Sequence, residues 1–470
     1  MYFLRKLTLA KKKSTTLGTE PISKLLVKQA VPASIGILVM SLNMIVDTIF
    51  VGRWIGPQAI AAITVVIPFT FFIAAIGLAV GIGGSSVLSR ALGAGEDDKA
   101  RSIFGNQITL TFLVSGFLAA IGLIFQDFFI EFFGAAESYK EMALVYYRIV
   151  LYGIVMLAMC MMGNNVIRAE GKPKFAMYAM ILPAVGNILM DYILINVLDY
   201  GMEGAAWATF ISYAICFGFI LWFFIAKSEL RITPYYLRLK GKILREISSL
   251  SSVTLARQGT ISVLGILLNN VLISYGDELD QASYGIISRM LMFALFPVIG
   301  VTQGFMPIAG YNFGAKKYKR VRETINTSIK YAGILAIIIF AVIMSFPEVF
   351  VSLFISNKGG SPQTIADNAE ILARTPNALR WVFAATPIIV VQLIGSAYFQ
   401  SIGKAVPALL LSLTKQGFFL IPLILILPPF LGVWGVWIAF PIADVMATLV
   451  TGYYLNREVK NTLAVQEEMV

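Results

Sequence analysis

Long apolar stretches alternate with short polar segments along the whole chain. Each stretch holds enough apolar residues for a helix of roughly 20 residues, the length needed to cross a hydrocarbon core about 30 Å thick. The pattern therefore predicts twelve membrane-spanning helices, numbered here as spans 1 to 12 in chain order. Their approximate bounds are 30–52, 59–82, 104–126, 143–166, 174–197, 204–226, 251–275, 283–308, 327–355, 380–401, 406–428 and 432–455.

Composition supports a multi-pass membrane protein. Hydrophobic residues make up 58% of the 470 residues and charged residues 13%, with a mean hydropathy of +0.80, above the range of soluble globular proteins. The chain has no histidine, which removes zinc sites built on histidine and Ser-His-Asp triads, so we do not expect an enzyme. Cys160 and Cys216 fall inside spans, where we expect them to behave as small apolar residues without a disulfide or a redox role.

The net charge of +11 reflects topology rather than nucleic-acid binding. Lysine and arginine concentrate in the N-terminal tail and in alternate loops, whereas the intervening loops contain few of them. Under the positive-inside rule this distribution predicts that both termini are cytoplasmic. The basic loops include residues 90–101, 168–174, 227–245 and 316–322.

The sequence also contains an internal duplication. Residues 90–101 match 311–322, and residues 169–177 match 401–409, at offsets of about 221 and 231. The extra residues of the second copy fall within 356–375, the longest predicted external loop. An even number of spans in each copy means that both copies enter the membrane from the same side, an arrangement common in secondary transporters.

The spans and the duplication together predict an all-α membrane protein with two pseudo-symmetric six-helix lobes. The predicted parts are a cytoplasmic N-terminal tail (1–29), an N-terminal lobe (30–226), a cytoplasmic linker (227–250), a C-terminal lobe (251–455) and a cytoplasmic tail (456–470).

Two pairs of polar residues lie inside the first lobe at the same helical spacing. Asn187 and Asp191 share one face of span 5, and Asn43 and Asp47 share one face of span 1. An ionisable residue at the centre of a span costs about 2.5 to 3.5 kcal/mol, so each must face protein or a wet cavity. The depths of Asp47 and Asp191 in their spans match. A structural hydrogen-bond network is the alternative interpretation.

Span 6 supplies further oxygens at that depth. The Thr209 hydroxyl and the backbone carbonyl of Ala205 complete, with the two carboxylates and the Asn187 amide, an all-oxygen set. Such a set suits Na⁺ or a proton shared by two carboxylates that titrate as one unit. The pattern therefore predicts a cation-binding site in the first lobe, with Na⁺ and H⁺ both open.

The second half has no equivalent acidic set. Lys415 in span 11 and Asp444 in span 12 lie at matched depth with opposite charge, which predicts a structural ion pair. Pro32 in span 1 is a hinge candidate about four turns from Asp47, although a packing kink explains a proline there equally well. The sequence assigns no role to the remaining polar groups in the spans, among them Arg257, Arg289 and Gln303.

Several segments resemble the multidrug and toxic compound extrusion (MATE) family of bacterial efflux transporters, in order along nearly the whole chain. These segments read NMIVDTIFVGRWIGPQAIAA, GIGGSSVLSRALGAGEDDKAR, IRAEGKPKFAM, TQGFMPIAGYNFGAKKYKRVRE and GVWGVWIAFPIAD. By position, Asp47, Asn187, Asp191 and Thr209 resemble polar residues of that family, and Tyr146 matches a tyrosine near them. Met306 stands where many relatives have glutamine.

The resemblance implies export of organic, often cationic, compounds in exchange for Na⁺ or H⁺ by alternating access. It also implies a bacterial cytoplasmic membrane location, small-molecule drug substrates, contact with lipid and no cofactor beyond the coupling ion; we expect a monomer. The alternative is a lipid-linked saccharide exporter of the same superfamily. That function predicts a more cationic cavity, whereas the buried charge recognised in the spans of the first lobe is negative.

Overall fold

The structure is a computed structural model that describes residues 16–355 and 362–465. Within these ranges, eleven helices are long and apolar enough to cross a membrane. Nine of them, α1 to α9, overlap predicted spans 1 to 9 in order. They are α1 Ile22–Trp54, α2 Pro57–Gly93, α3 Asp97–Ile124, α4 Lys140–Ala169, α5 Pro173–Val197, α6 Gly201–Ala226, α7 Gly241–Tyr275, α8 Glu278–Gly314 and α9 Tyr318–Ser345.

The prediction of span 10 as one continuous helix was wrong. Two helices, α10 Pro362–Phe383 and α11 Ile389–Ser401, replace it, with turns over 384–388 between them. Pro387 lies in these turns and has no backbone N–H for an intrahelical hydrogen bond, which accounts for the break. The last two long helices are α12 Ala405–Leu431 and α13 Val433–Leu463.

The predicted external loop over 356–375 was also wrong for its described part. Residues from Pro362 onward form α10, which is amphipathic rather than apolar. Its buried face packs against α8 and α13, whereas Arg374 on its polar face pairs with Asp277 at 2.7 Å. Hydropathy alone missed this helix because only one of its faces is apolar. The buried apolar side chains of α10 are Ile371, Ala378, Leu379, Val382 and Phe383.

Several helices extend beyond the predicted span ends. Helix α7 begins at Gly241, inside the predicted linker, and α1 begins at Ile22, inside the predicted tail. The short helix Thr16–Thr19 precedes α1, and the buried Leu17 side chain packs with residues of the second half. The Asn312 amide donates to the Leu17 carbonyl at 3.0 Å. The described part of the predicted tail is therefore attached to the helical body.

The helices of each half pack on one another, and four of them make the most extensive contacts between the halves. In the first half, α2 packs along α4, α4 along α6 and α1 along α5; in the second, α8 packs along α9 and α11 along α12 and α13. Across the halves, α1 packs on α8, and α2 packs on both α7 and α8. Side chains at these contacts therefore decide how closely the two halves approach.

Two glycines bring α2 and α8 into backbone contact, and we call this pair the glycine seam. A Cβ at Gly93 would overlap the Tyr311 carbonyl, and a Cβ at Gly314 would overlap the Arg90 carbonyl. Only glycine permits such close approach of two helices. The seam lies beside Leu17, on the side of the bundle where the described chain begins. We call this side of the bundle the terminal side.

Other contacts between the halves lie on the same side. The Ser86 hydroxyl on α2 donates to the carbonyls of Gln400 at 2.5 Å and Ser401 at 3.1 Å on α11. Arg90 pairs with Glu246 on α7 at 2.9 Å. These contacts and the glycine seam hold the two halves together on the terminal side. In the predicted orientation this is the cytoplasmic side.

Candidate functional site

The two predicted carboxylates meet between α1 and α5. Asp47 and Asp191 lie within hydrogen-bonding reach of each other. Asp191 is completely buried, and among the described residues no N–H or O–H group donates to either of its carboxylate oxygens. The backbone after Asp191 changes from α-helical to π-helical over Tyr192–Val197. Wide turns of this kind occur frequently at functional sites.

The two asparagines meet one helical turn away from the carboxylates. The Asn43 Nδ2 donates to Asn187 Oδ1 at 3.0 Å. Asn187 is buried, and its Nδ2 and the Asn43 Oδ1 have no partner within the part of the chain that the structure describes. Each helix therefore contributes one amide and one carboxylate, and like groups face each other across the α1–α5 contact.

Thr209 and Ala205 lie beside the carboxylate pair and the amide pair, which together we call the polar ladder. A hydrogen bond joins Thr209 and Ala205 to each other. The Thr209 hydroxyl donates to the Ala205 carbonyl at 3.1 Å on its own helix and lies 3.4 Å from the Tyr146 hydroxyl. The hydroxyl groups of Tyr146 and Tyr213 both lie near enough to Asp47 to interact with it electrostatically. Instead of one closed oxygen cage, the structure contains a carboxylate pair, an amide pair and a hydroxyl pair side by side.

A cavity of about 170 Å³ adjoins the polar ladder. Asn43 belongs to both, so the amide pair borders the cavity. Methionine and leucine side chains supply much of the wall, and the free thiols of Cys160 and Cys216 also line it. The polar wall residues are Asn43, Asn164, Asn165, Ser212, Tyr213 and Gln303. Such a mixture of flexible apolar and sparse polar groups suits organic ligands of varied shape.

A smaller cavity of about 40 Å³ lies next to the first, and it contains a charge that the sequence analysis misplaced. Asn165 and Gln303 line both cavities. Arg168 also lines the smaller one and is only 3% exposed, in the last turn of α4. The expectation that Arg168 belongs to a basic loop was therefore wrong. Gln303, to which the sequence assigned no role, lies in the walls of both cavities.

The remaining singled-out residues lie elsewhere. Helix α1 continues through Pro32, which is buried, so its hinge role stays a prediction. Arg257 is half-buried on α7, and Arg289 is exposed on α8. In the second half, the Lys415 ammonium lies 2.6 Å from the buried Asp444 carboxylate. Lys415 lies in a π-helical stretch of α12, Thr414–Leu420.

We expect a Lys415→Met substitution to destabilise the protein by about 3 kcal/mol, since it leaves a buried carboxylate without its partner. The double variant Lys415→Met with Asp444→Leu should recover most of this loss, because it removes both charges. The thermal midpoint in detergent micelles measures both effects. A double variant as unstable as the single one would contradict this explanation, because an unpaired buried charge would then not be the cause of the lost stability.

Comparisons with known proteins agree with this architecture. The family model described as MatE matches the chain twice, over residues 32–193 and 255–426. The probable multidrug resistance protein YoeA of Bacillus subtilis is 24% identical over 439 residues, which cover 90% of this chain and 91% of that protein. The FAD transporter of Shewanella oneidensis is 24% identical over 452 residues, which cover 94% and 96%.

A solved structure has the same fold. It is described as the outward-facing conformation of a multidrug resistance MATE family transporter of the MOP superfamily, and it superposes with a TM-score of 0.87. The two sequences are 26% identical, and the match covers 96% of this chain and 98% of that one. The likeness confirms the predicted all-α, twelve-helix membrane fold.

Proposed function

The chain belongs to the MatE family, and from that premise we propose that it exports organic compounds by alternating access, driven by a cation that discharges Asp47 and Asp191. The observation that carries the proposal is the buried Asp191 carboxylate, which has the Asp47 carboxylate as its neighbour and no protein donor among the described residues. Two negative charges this close repel each other, and Asp191 is shut off from water, so a cation must accompany them.

We infer that the cation is a proton. Two carboxylates this close to each other repel when both are charged, and one shared proton removes that repulsion. Of the other predicted Na⁺ ligands, Asn187 Oδ1 and the Ala205 carbonyl already accept hydrogen bonds from Asn43 and Thr209, so a Na⁺ ion would have to share these oxygens with protein donors. A hard metal cation needs several oxygen ligands at once, whereas a proton needs only the two carboxylates. This arrangement favours H⁺ over Na⁺.

The proposed cycle couples the carboxylate pair to the cavity through Asn43. With the pair charged, the cavity binds its substrate from the cytoplasm. After the halves reorient, a proton from the outside discharges the pair and lowers the affinity for substrate. Because coupling is reciprocal, substrate binding must weaken proton binding by the same factor.

The two relatives differ in the function that their names give, since one is a probable multidrug resistance protein and the other an FAD transporter. The substrate range therefore has to be inferred from the cavity of this chain. Its Met-rich wall favours amphipathic organic compounds. We further propose that the protein acts as a monomer in a bacterial cytoplasmic membrane with both termini cytoplasmic.

We expect a pH gradient alone to drive transport in liposomes that contain the purified protein. Protons that leave an acidic interior should drive uptake of ethidium, a permanently charged cation. Na⁺ that leaves a Na⁺-loaded interior, at equal pH on both sides, should not. Protein-free liposomes are the control for passive dye movement. Uptake driven by Na⁺ alone would overturn the choice of ion but not the export function, and uptake under neither gradient would overturn the export proposal.

The lipid-linked saccharide exporter remains the second candidate, because Arg168 adds a buried positive charge that the sequence analysis lacked. A pyrophosphate carries more than one negative charge, however, and among the described residues Arg168 is the sole charged one in the walls of the two cavities. One positive charge matches a singly charged group better than a pyrophosphate. The single arginine therefore favours export of small organic compounds.

A further inference from the structure

Within the described part of the chain, Arg168 is a buried cation without an ion pair. Its side chain lies at the end of α4, is 3% exposed and faces the smaller cavity between the two halves. Among the described residues no carboxylate forms a salt bridge with it. The nearest acid in sequence, Glu170, is engaged by Lys172 at 3.3 Å and by the Ser228 hydroxyl.

Two of the three guanidinium nitrogens are held in place. Nε donates to Asn164 Oδ1 at 3.0 Å, and Asn164 in turn donates to the Ala176 carbonyl at 2.7 Å. Nη2 lies 3.4 Å from the sulfur of Met180, which lines the larger cavity. Nη1 has no hydrogen-bond partner within the described chain. The Arg168 side chain is thus held by its neighbours, and the N–H groups of Nη1 remain without an acceptor among the described residues.

A second unused donor lines the same cavity. The Ser85 hydroxyl on α2 is buried and has no partner among the residues that the structure describes. The amides of Asn165 and Gln303 stand beside it in the wall that the two cavities share. The walls of the smaller cavity therefore combine a fixed positive charge, a free hydroxyl and two amides.

This combination suits an oxyanion. A buried charge without a counter-charge is costly, and so is a buried hydroxyl without an acceptor. A carboxylate or a phosphate ester satisfies both, since it offers several acceptor oxygens and binds guanidinium through charge-assisted hydrogen bonds. With one positive charge available, a singly charged group is the best match.

We propose that Arg168 and Ser85 form an anion subsite that binds the carboxylate or phosphate ester of an amphipathic organic substrate, whose apolar body occupies the larger cavity. The inference rests on the proposed export function, because it uses the same cavity. It extends the substrate class from organic cations to compounds that carry a negative group. An anionic lipid headgroup has the same chemistry, so the test must separate it from a soluble compound.

The test compares two dyes that differ in one group, rhodamine B with a free carboxylate and its ethyl ester. Binding to the full-length protein in neutral phosphatidylcholine nanodiscs is followed by fluorescence anisotropy. We expect Arg168→Gln to weaken binding of the acid by about tenfold, the loss of one charge-assisted contact, and to change binding of the ester less than twofold. Arg168→Lys should recover part of the affinity for the acid.

Arg257→Gln is the matched control, because Arg257 lies outside the walls of both cavities. It should leave both affinities unchanged. Ester binding to the Arg168→Gln variant shows that the variant is folded. Equal loss of both dyes, or no loss of the acid, would overturn the anion subsite while leaving the export function intact, whereas a wild-type chain that binds neither dye would contradict both proposals.

A second set of nanodiscs contains phosphatidylglycerol. We expect the affinity for the acid to stay the same, apart from the general repulsion that the Arg168→Gln variant also experiences. If the anionic lipid weakened binding of the acid in the wild type but not in the variant, the headgroup would be the occupant, and the proposal of a soluble substrate would be wrong.

Discussion

An Asp191→Asn substitution is expected to lower proton-driven ethidium transport on the order of a hundredfold, the upper range of coupling between two sites. Asparagine has nearly the shape of aspartate but cannot release or take up a proton. The variant should therefore resemble the discharged state permanently and should not return to the form with high affinity for substrate. The liposome assay with an imposed pH gradient measures the loss.

The matched control is Asp199→Asn, the same chemical change eight residues further along the chain. Asp199 is exposed and has a φ of 51°, which asparagine adopts readily. It should transport like the wild type. Asp47→Asn should fail as Asp191→Asn does, and the double variant should be no worse, because residues that act as a unit are not additive. Undiminished proton-driven transport by Asp191→Asn would refute the role of the pair.

A Gly93→Ala substitution is expected to shift the protein out of the conformation described here by about 10- to 100-fold in the equilibrium between conformations. The added methyl group would overlap the backbone carbonyl of Tyr311, which no side-chain rotation can relieve. Helices α2 and α8 must therefore separate, and the terminal side opens. Transport should fall as well, since the cycle requires both conformations.

Thiol labelling measures this shift. In a background with Cys160 and Cys216 changed to serine, a Ser401→Cys variant places a thiol at a completely buried position on the contact with α2. A membrane-impermeant maleimide added on the terminal side should label it at least about tenfold faster when Gly93 is alanine. Gly116→Ala is the control, because a Cβ there meets nothing within 4 Å. Equal labelling rates with and without the Gly93 substitution would show that the glycine seam does not control closure.

The sequence predicted the carboxylate pair because acidic residues are rare in spans and their depth can be counted from span ends. Asp47 and Asp191 were conspicuous on that basis, and the structure brings them together. It did not predict that the Thr209 hydroxyl bonds to its own helix. Threonine in a helix has this option at every position, and only the packing of neighbours decides between it and a ligand role.

Arg168 was misassigned because hydropathy ends a span at the first charged residue. The helix in fact continues to Ala169, and Gly171 follows with a φ of 72°, the left-handed conformation typical of glycine just after a helix. That glycine was the available signal. Read as a helix stop, it places Arg168 one turn from Asn164 on a common face, and the two side chains indeed bond.

Span 10 failed for a related reason. The amphipathic α10 buries Leu379 and Phe383 but carries Arg374 on its other face, so its average hydropathy is too low for a spanning helix. The partner surfaces on α8 and α13 decide its position. Such a helix is visible in the periodicity of its apolar residues but not in a sliding average.

The glycine seam joins the two halves through main-chain atoms, whereas the cavity wall is made of side chains such as Met161 and Met180. Replacing one of these wall residues therefore leaves the seam unchanged. Selection by a new toxin can reshape the wall through single substitutions, so a cell can broaden its resistance while the contact that joins the two halves stays the same.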